Sequence, residues 1–295
     1  SLLALAQATW VGRQLEARHR GQIRVEWLGI DTRGDRIQDV PLQSVAGKEF
    51  FVAEIDDALR DGRADAAVHS LKDLSTDRPH DLVLAATPAR ELPNDVVLFR
   101  GDTADTVRHG RRLKIGTSSP RRIENLRSFL RQALPTGAAD LDLVEIRGNV
   151  NTRISRLHEA PESPRALDGV VLALAGLNRL AADSDAPLGT GAGQILKELV
   201  RGLRWMVLPI PENPTAPGQG ALAVECRQGD SKSINIVAAL DDPTTRRLVA
   251  RERSLFSEWG GGCHQKFGIT VLEPMPGLEI LYSRGVRPDG MRVDA

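Results

Sequence analysis

The chain has 295 residues, which is room for two domains or three at roughly 100–200 residues each and enough to bury a core without staples. Hydrophobic residues make up 41%, charged residues 26%, and Lys+Arg and Asp+Glu are equal at 39 each; this excludes disorder and argues against a dedicated nucleic-acid binder, whose surface would be net basic. The two cysteines, Cys226 and Cys263, lack metal-type spacing, so neither a disulfide scaffold nor a structural zinc site is expected, and no apolar run reaches the roughly 18–20 residues of a membrane span.

Ser1 leads straight into an apolar helical pattern with no basic leader, so the sequence reads as cytoplasmic and as missing its natural N-terminus. Leu5, Ala8, Val11 and Leu15 predict one face of a helix over 2–18. Ile23, Val25 and Trp27 alternate with charged residues and predict a strand. A polar loop follows, and then Phe51, Val52, Ile55, Ala58 and Leu59 predict a second helix that Gly62 closes. A strand over 65–68 runs into His69-Ser70-Leu71-Lys72-Asp73, and 82–86 is another strand. This alternation predicts an α/β layer with a mostly parallel sheet.

The pattern restarts after Pro93. Strands are expected over 96–99, 114–116, 143–146 and 170–174. Ser119-Pro120 starts a helix, with Pro at its first position; others follow Asn149 and Ala175. Strands over 206–210 and 221–226 flank a loop rich in Pro and Gly, which reads as a return to the first unit. From Asp242-Pro243 a helix runs to Gly260-Gly261-Gly262, followed by two strands and a turn at Pro288-Asp289-Gly290, with too few residues left for a full return strand. The expected domains are therefore 1–90 with 216–239, 93–210, and 242–295, the first two forming lobes about a ligand cleft.

Four segments could carry chemistry. Cys263, after three glycines, is either a small buried cysteine behind a helix cap or an exposed thiol used for attachment. Lys72-Asp73 lies just past the carboxyl end of a strand, where α/β sheets place ligands; it is either a solvated pair or a carboxylate kept ionised to stabilise a cation or shuttle a proton. Arginines recur after three strands of one lobe: Arg121 and Arg122 behind Thr117 and Ser119, Arg147 and Arg153 around Gly148, and Arg179. They suit a ligand with several carboxylates or phosphates, held bidentately. Gly47-Lys48-Glu49-Phe50-Phe51 is either a mobile loop over the cleft or an ordinary helix start. No phosphate-binding lysine loop, dinucleotide fingerprint or metal site is visible.

Taken in order, these segments resemble the porphobilinogen deaminase (hydroxymethylbilane synthase) family: Thr32-Arg33-Gly34-Asp35, Gly47-Lys48 with Phe51-Val52, Val68-His69-Ser70-Leu71-Lys72-Asp73, Gly116-Thr117-Ser118-Ser119 with Arg121-Arg122, Arg147-Gly148-Asn149-Val150 with Arg153, Ala175-Gly176-Leu177 with Arg179, Pro217-Gly218-Gln219-Gly220-Ala221 and Gly261-Gly262-Cys263. The resemblance implies two lobes like those of type II periplasmic binding proteins plus a small α/β third domain. It implies condensation of four porphobilinogen units into a linear tetrapyrrole with release of ammonia. The primer is a dipyrromethane cofactor bound covalently through Cys263. Asp73 is implied as the catalytic residue, near the pyrrole nitrogens. Lys72, Ser70, Thr117, Ser119, Arg121, Arg122, Arg147 and Gly148 are implied at the cofactor, and Arg153, Arg179, Lys48 and Phe51 at the substrate. It further implies a cytoplasmic monomer that passes its product to uroporphyrinogen-III synthase and binds neither nucleic acid, membrane nor metal.

The sequence departs from the family in four places. The family's first strand, ending in Thr-Arg-x-Ser, is absent, with Ser1 at the position of its serine; its loss is expected to expose unpaired backbone. Lys266 stands where a proline is usual, Glu49 where a glycine is usual, and the third domain is short, so both ends read as cut. The alternative is a non-catalytic anion-binding module of the same fold, which would need the arginines but not Asp73 or an exposed anchor thiol.

Overall fold

The computed structural model describes residues 1–30, 52–134, 141–183, 191–262 and 265–295. Lys48, Phe51 and Cys263 lie outside the described residues.

Ser1 caps helix α1 (Leu2–Arg18), its hydroxyl accepting the Ala4 N–H. The helix buries Ala6, Val11 and Leu15, while Leu5 of the expected face is exposed. The expected strand over Ile23–Trp27 does not form. A strand needs a ladder partner, and this segment pairs with none of the described strands. Val25 and Trp27 pack instead on Gly12 of α1, where a Cβ would collide with the Trp27 ring. Glu16 accepts the Val25 N–H at 2.9 Å. Helix α2 (Ala53–Arg60) buries Ala58 and Leu59. Strand β1 (Ala67–Ser70) leads into a single 3-10 turn, Leu71–Asp73, and β2 (Leu82–Ala86) follows.

The second lobe runs β3 (Asp95–Phe99), α3 (Thr103–Arg108), β4 (Leu113–Gly116), α4 (Pro120–Ala133), β5 (Leu141–Val144), α5 (Val150–Ser155), β6 (Gly169–Ala173), α6 (Leu174–Ala182), α7 (Ala192–Val200) and β7 (Arg204–Val207). The sequence reading has no element for α3 or α7. The sheet order is β5-β4-β6-β3-β7. β4 is parallel to β5 and β6, while β3, which enters from the first lobe, is antiparallel to β6 and β7. The sheet is thus mixed, β3 alone running against its neighbours. Both faces are covered: Val96, Leu98, Val170 and Leu172 pack toward Leu177 and Leu180 of α6, and Val97, Ile115 and Val171 toward Leu126 and Leu130 of α4. Double burial explains why these strands read as continuous apolar runs. β7 ends before the expected 206–210 does, because Pro209 and Pro211 cannot donate to a ladder. β5 likewise ends at Val144, and Ile146 is buried beside Gly116.

The chain then returns to the first lobe. β8 (Leu222–Arg227) inserts between β1 and β2, antiparallel to both, with Val224 opposite Val68. The expected mostly parallel sheet is corrected here, because the central strand arrives from the other lobe and not through a local β-α-β crossover. Helix α8 (Ser231–Ala238), capped by Asp230 and also unread in the sequence, packs on this sheet.

Helix α9 (Pro243–Glu258) opens the third segment, with Asp242 accepting the Thr245 N–H as cap. It stops where the glycines predict: Gly260 adopts a φ of +74°, a backbone conformation costly for residues with a Cβ. An antiparallel sheet follows, β9 (Lys266–Met275), β10 (Leu278–Val286) and β11 (Arg292–Asp294), in the order β11-β10-β9. The strand after the last turn is short, 3 residues against the 9 of β10, in keeping with the expectation that no full return strand follows.

Candidate active site

A cleft of about 1450 Å³ has apolar walls from α1, including Ala8, Val11 and Leu15, and from Ala66 and Val68 at the start of β1. Arg147, Gly148, Asn149 and Arg153 of the second lobe form part of its lining. Local sequence builds this basic wall. Asn149 caps α5 by accepting the Thr152 N–H at 3.0 Å. Gly148 has a φ of +104° and lies so close to Thr152 that a Cβ would meet its methyl at 2.7 Å, so the turn needs glycine. Arg153 Nε donates to the Gly148 carbonyl at 2.8 Å. Burial pushes the Arg153 guanidinium down to about 10, and the charges of Arg122, Arg147 and Arg156 push the same way, while Asp73 opposes them. Cations crowded like this favour an anionic occupant.

Asp73 does not line the cleft, but its charge acts on Arg153, which does. It sits exposed on the 3-10 turn after β1, just beyond the carboxyl end of that strand. Lys72, beside it, donates to Gln219 Oε1 at 3.4 Å. Burial lowers the Lys72 ammonium, and the Asp73 carboxylate counteracts this. Ser70 hydrogen-bonds Gln7 of α1 at 3.0 Å. The Lys72–Asp73 turn and the Arg147–Arg153 wall, distant in sequence, thus belong to one electrostatic neighbourhood.

The other predicted arginines are placed differently. Ser119 caps α4 as the sequence predicts, accepting the Arg122 N–H, and buried Thr117 accepts the Ser119 N–H. Arg122 then clasps buried Asp95 at 2.6 and 3.0 Å, and Arg121 reaches the same carboxylate at 2.8 Å. Arg121 also donates to Asn213 and to the Pro214 carbonyl, and Arg122 to the Val171 carbonyl. Asn213 and Gln219 complete the knot, donating to Asp95 at 2.8 Å each. Burial alone would raise the Asp95 carboxyl; the two arginines overcome that and hold it well below the usual range. The anion that the motif Ser119-Pro120-Arg121-Arg122 holds in this structure is thus the chain's own. Arg179 lies farther round, donating to the Gly220 carbonyl at 2.6 Å. Burial pushes it down to about 10, against the pull of Glu91.

Sequence reasoning misses Asp95, although a carboxylate heading the apolar run Val96–Phe99 was a signal that a cation must meet it. It quotes Gln219 within a motif without seeing that it bridges Lys72 and Asp95. Cys226 is the buried strand end expected, its thiol pushed up to about 12 chiefly by burial.

A family model described as porphobilinogen deaminase, dipyromethane cofactor binding domain, matches residues 1–235. The chain belongs to the porphobilinogen deaminase family. Its similarity to individual members is broad: it is 43% identical over 263 residues to a porphobilinogen deaminase of Trichlorobacter lovleyi, covering 89% of this chain and 73% of that one. With the porphobilinogen deaminase of Roseiflexus castenholzii it shares 38% identity over 282 residues, 95% of this chain and 81% of that one. Among solved structures, a periplasmic substrate-binding protein of an ABC transporter from Coxiella burnetii aligns over 84% of this chain and 92% of that one, at 15% identity and a TM-score of 0.38. Among the described residues, no helix is long and apolar enough to cross a membrane.

Proposed function

We propose that this member of the porphobilinogen deaminase family condenses four porphobilinogen units head to tail into hydroxymethylbilane, releasing ammonia at each addition, with Asp73 as the catalytic residue. The observation that carries this is an exposed carboxylate on a short turn, flanked by Lys72 and acting on Arg153 at the basic wall of the cleft.

Porphobilinogen and its oligomers are polyanions, bearing an acetate and a propionate on every ring. The cations Arg147 and Arg153 at the cleft and Lys72 beside Asp73 fit such groups, and Ser70, Ser119 and Gly148 are proposed to add hydrogen bonds to them. When bound, the dipyrromethane supplies a covalent primer rich in carboxylates. Cys263 is its proposed anchor. What supports this is a helix ending at Glu258 and a glycine segment leading away from it. Arg121 and Arg122, expected at the cofactor, support the site through Asp95 and set the start of α4. Arg179, Lys48 and Phe51 complete the proposed substrate contacts.

As ammonia leaves, positive charge develops on the reacting unit. A fixed carboxylate at Asp73 stabilises that charge and takes part in the proton transfers of deamination and final deprotonation. We further propose the division into 1–90 with 216–239, 93–210 and 242–295, a cytoplasmic monomer, and transfer of the product to uroporphyrinogen-III synthase.

The test combines intact mass and peptide mapping with kinetics. Two pyrrole units are expected on Cys263 in both the parent and Asp73→Asn, with turnover of the variant lower by several orders of magnitude. Normal turnover of Asp73→Asn would remove it from the mechanism. A bare Cys263 after exposure to porphobilinogen, with anion binding retained, would favour a binding module.

A further inference from the structure

Helix α9 sends two adjacent side chains inward, and the second reaches the catalytic turn. Glu252, fully buried, accepts from both Arg90 Nη atoms at 2.7 and 3.0 Å, from the Gly218 N–H at 2.7 Å and from the Val271 N–H at 2.8 Å. It fixes α9 against the crossing between the lobes. Arg253 donates Nη1 to the Leu71 carbonyl at 3.1 Å and to the Leu74 carbonyl at 3.2 Å, and Nη2 to the Ser75 carbonyl at 2.5 Å. These three carbonyls bracket Asp73 on both sides.

A single 3-10 turn does little to hold its own shape. Its hydrogen-bond geometry is poor and its last carbonyls have no partner within the helix. At its C-terminal end the Leu74 N–H donates to the Leu71 carbonyl at 3.2 Å. The planar guanidinium fork of Arg253 supplies several fixed donors where lysine would offer a flexible point charge.

We infer that Arg253 is a positioning residue: from helix α9 it fixes the turn that carries Asp73, so that the carboxylate is referenced to the same helix that leads toward Cys263. The inference rests on the reading of Asp73 as catalytic. A displacement of about 1 Å at a reacting group can cost on the order of 10²-fold in rate, so this hold is expected in turnover more than in binding.

The experiment compares the parent chain, after exposure to porphobilinogen, with Arg253→Met, Arg253→Lys and Asp73→Asn, and normalises rates to the pyrrole loading seen by intact mass. Arg253→Met is expected to lower kcat per loaded site about 10- to 100-fold with KM little changed. It is also expected to raise amide hydrogen exchange at Leu74 at least about tenfold while leaving Thr117 unchanged, with Arg253→Lys between it and the parent. If Arg253→Met does not fold, Arg253→Lys is read by the same two measures. Unchanged exchange at Leu74 overturns the inference, as does a normal kcat per loaded site with only loading or Tm reduced. If Asp73→Asn turns over normally, the catalytic reading fails, and exchange at Leu74 still decides whether Arg253 holds the turn.

Discussion

Two groups of arginines follow strands of the same lobe and face opposite electrostatic situations. Arg121 and Arg122 share buried Asp95, with Asn213 and Gln219 closing the remaining sides. Arg147 and Arg153 crowd one another; half-exposed Glu145 stands 4.0 Å from Arg147, and the Asp73 charge acts on Arg153. The first group has its counter-charge built in and serves to hold two lobes in register. The second lines the cleft. The residue type is the same; the first group shares a fully buried carboxylate, whereas the carboxylate beside Arg147 is half-exposed.

The comparison can be broken most severely at Asp95. Asp95→Asn leaves two buried guanidiniums short of a charge, and removing one partner of a buried pair costs about 3–5 kcal/mol. A large fall in Tm is expected, read by thermal unfolding; a change of less than about 1 kcal/mol would show that the arginines find another partner. Arg147→Leu and Arg153→Leu should do the reverse. Engagement of pyrrole carboxylates should weaken by about tenfold or more, since a charge-assisted hydrogen bond contributes about 1.5–3 kcal/mol, while stability stays within roughly 1 kcal/mol. Binding and melting on the same samples decide this.

Acid should separate a third buried cluster from the Asp95 knot. His69, buried beside Glu225 and Arg78, has its imidazole lowered below 6.5 chiefly by burial. The unfolded chain therefore binds the extra proton first. Its contribution to stability is complete above pH 6.5 and is lost as pH falls through the folded value. The Asp95 carboxyl is also depressed, but its contribution is constant down to 3.8 and lost only below that. Unfolding free energy measured from pH 8 to 5 should thus decline below 6.5 in the parent and flatten in His69→Gln; an unchanged slope would assign the decline elsewhere. The smallest effect concerns salt. Raising ionic strength from about 0.1 to 1 M shortens the screening length from about 10 to 3 Å, so anion affinity at the open Arg147–Arg153 wall should fall while the buried knot's contribution to Tm hardly moves.

Much of the site was legible because its signals are local. A Ser-Pro pair marks the start of α4, three glycines mark the end of α9, and an ordered set of short motifs identifies the family. Asp73 could be placed beyond a strand because the apolar run read over 65–68 gives way to polar residues; the strand itself is Ala67–Ser70, and Asp73 closes the turn after it. Helices α3, α7 and α8 were not read, since 6 to 9 residues with mixed faces carry little periodic signal. The strand over Ile23–Trp27 was read and does not form, because alternation reports a side-chain preference and a strand also requires a neighbour.

The sequence by itself determined the family and the two-lobed plan, and it supplied the candidates proposed as reactive residues. Only the tertiary structure decided which charges are already paired. Asp95 meets Arg121 and Arg122 across more than 20 positions, and Arg253 reaches Leu71 across 182. Hydrogen bonds and ion pairs depend on distance in space, and a short window of sequence does not encode which distant carboxylate or carbonyl will arrive beside a given arginine.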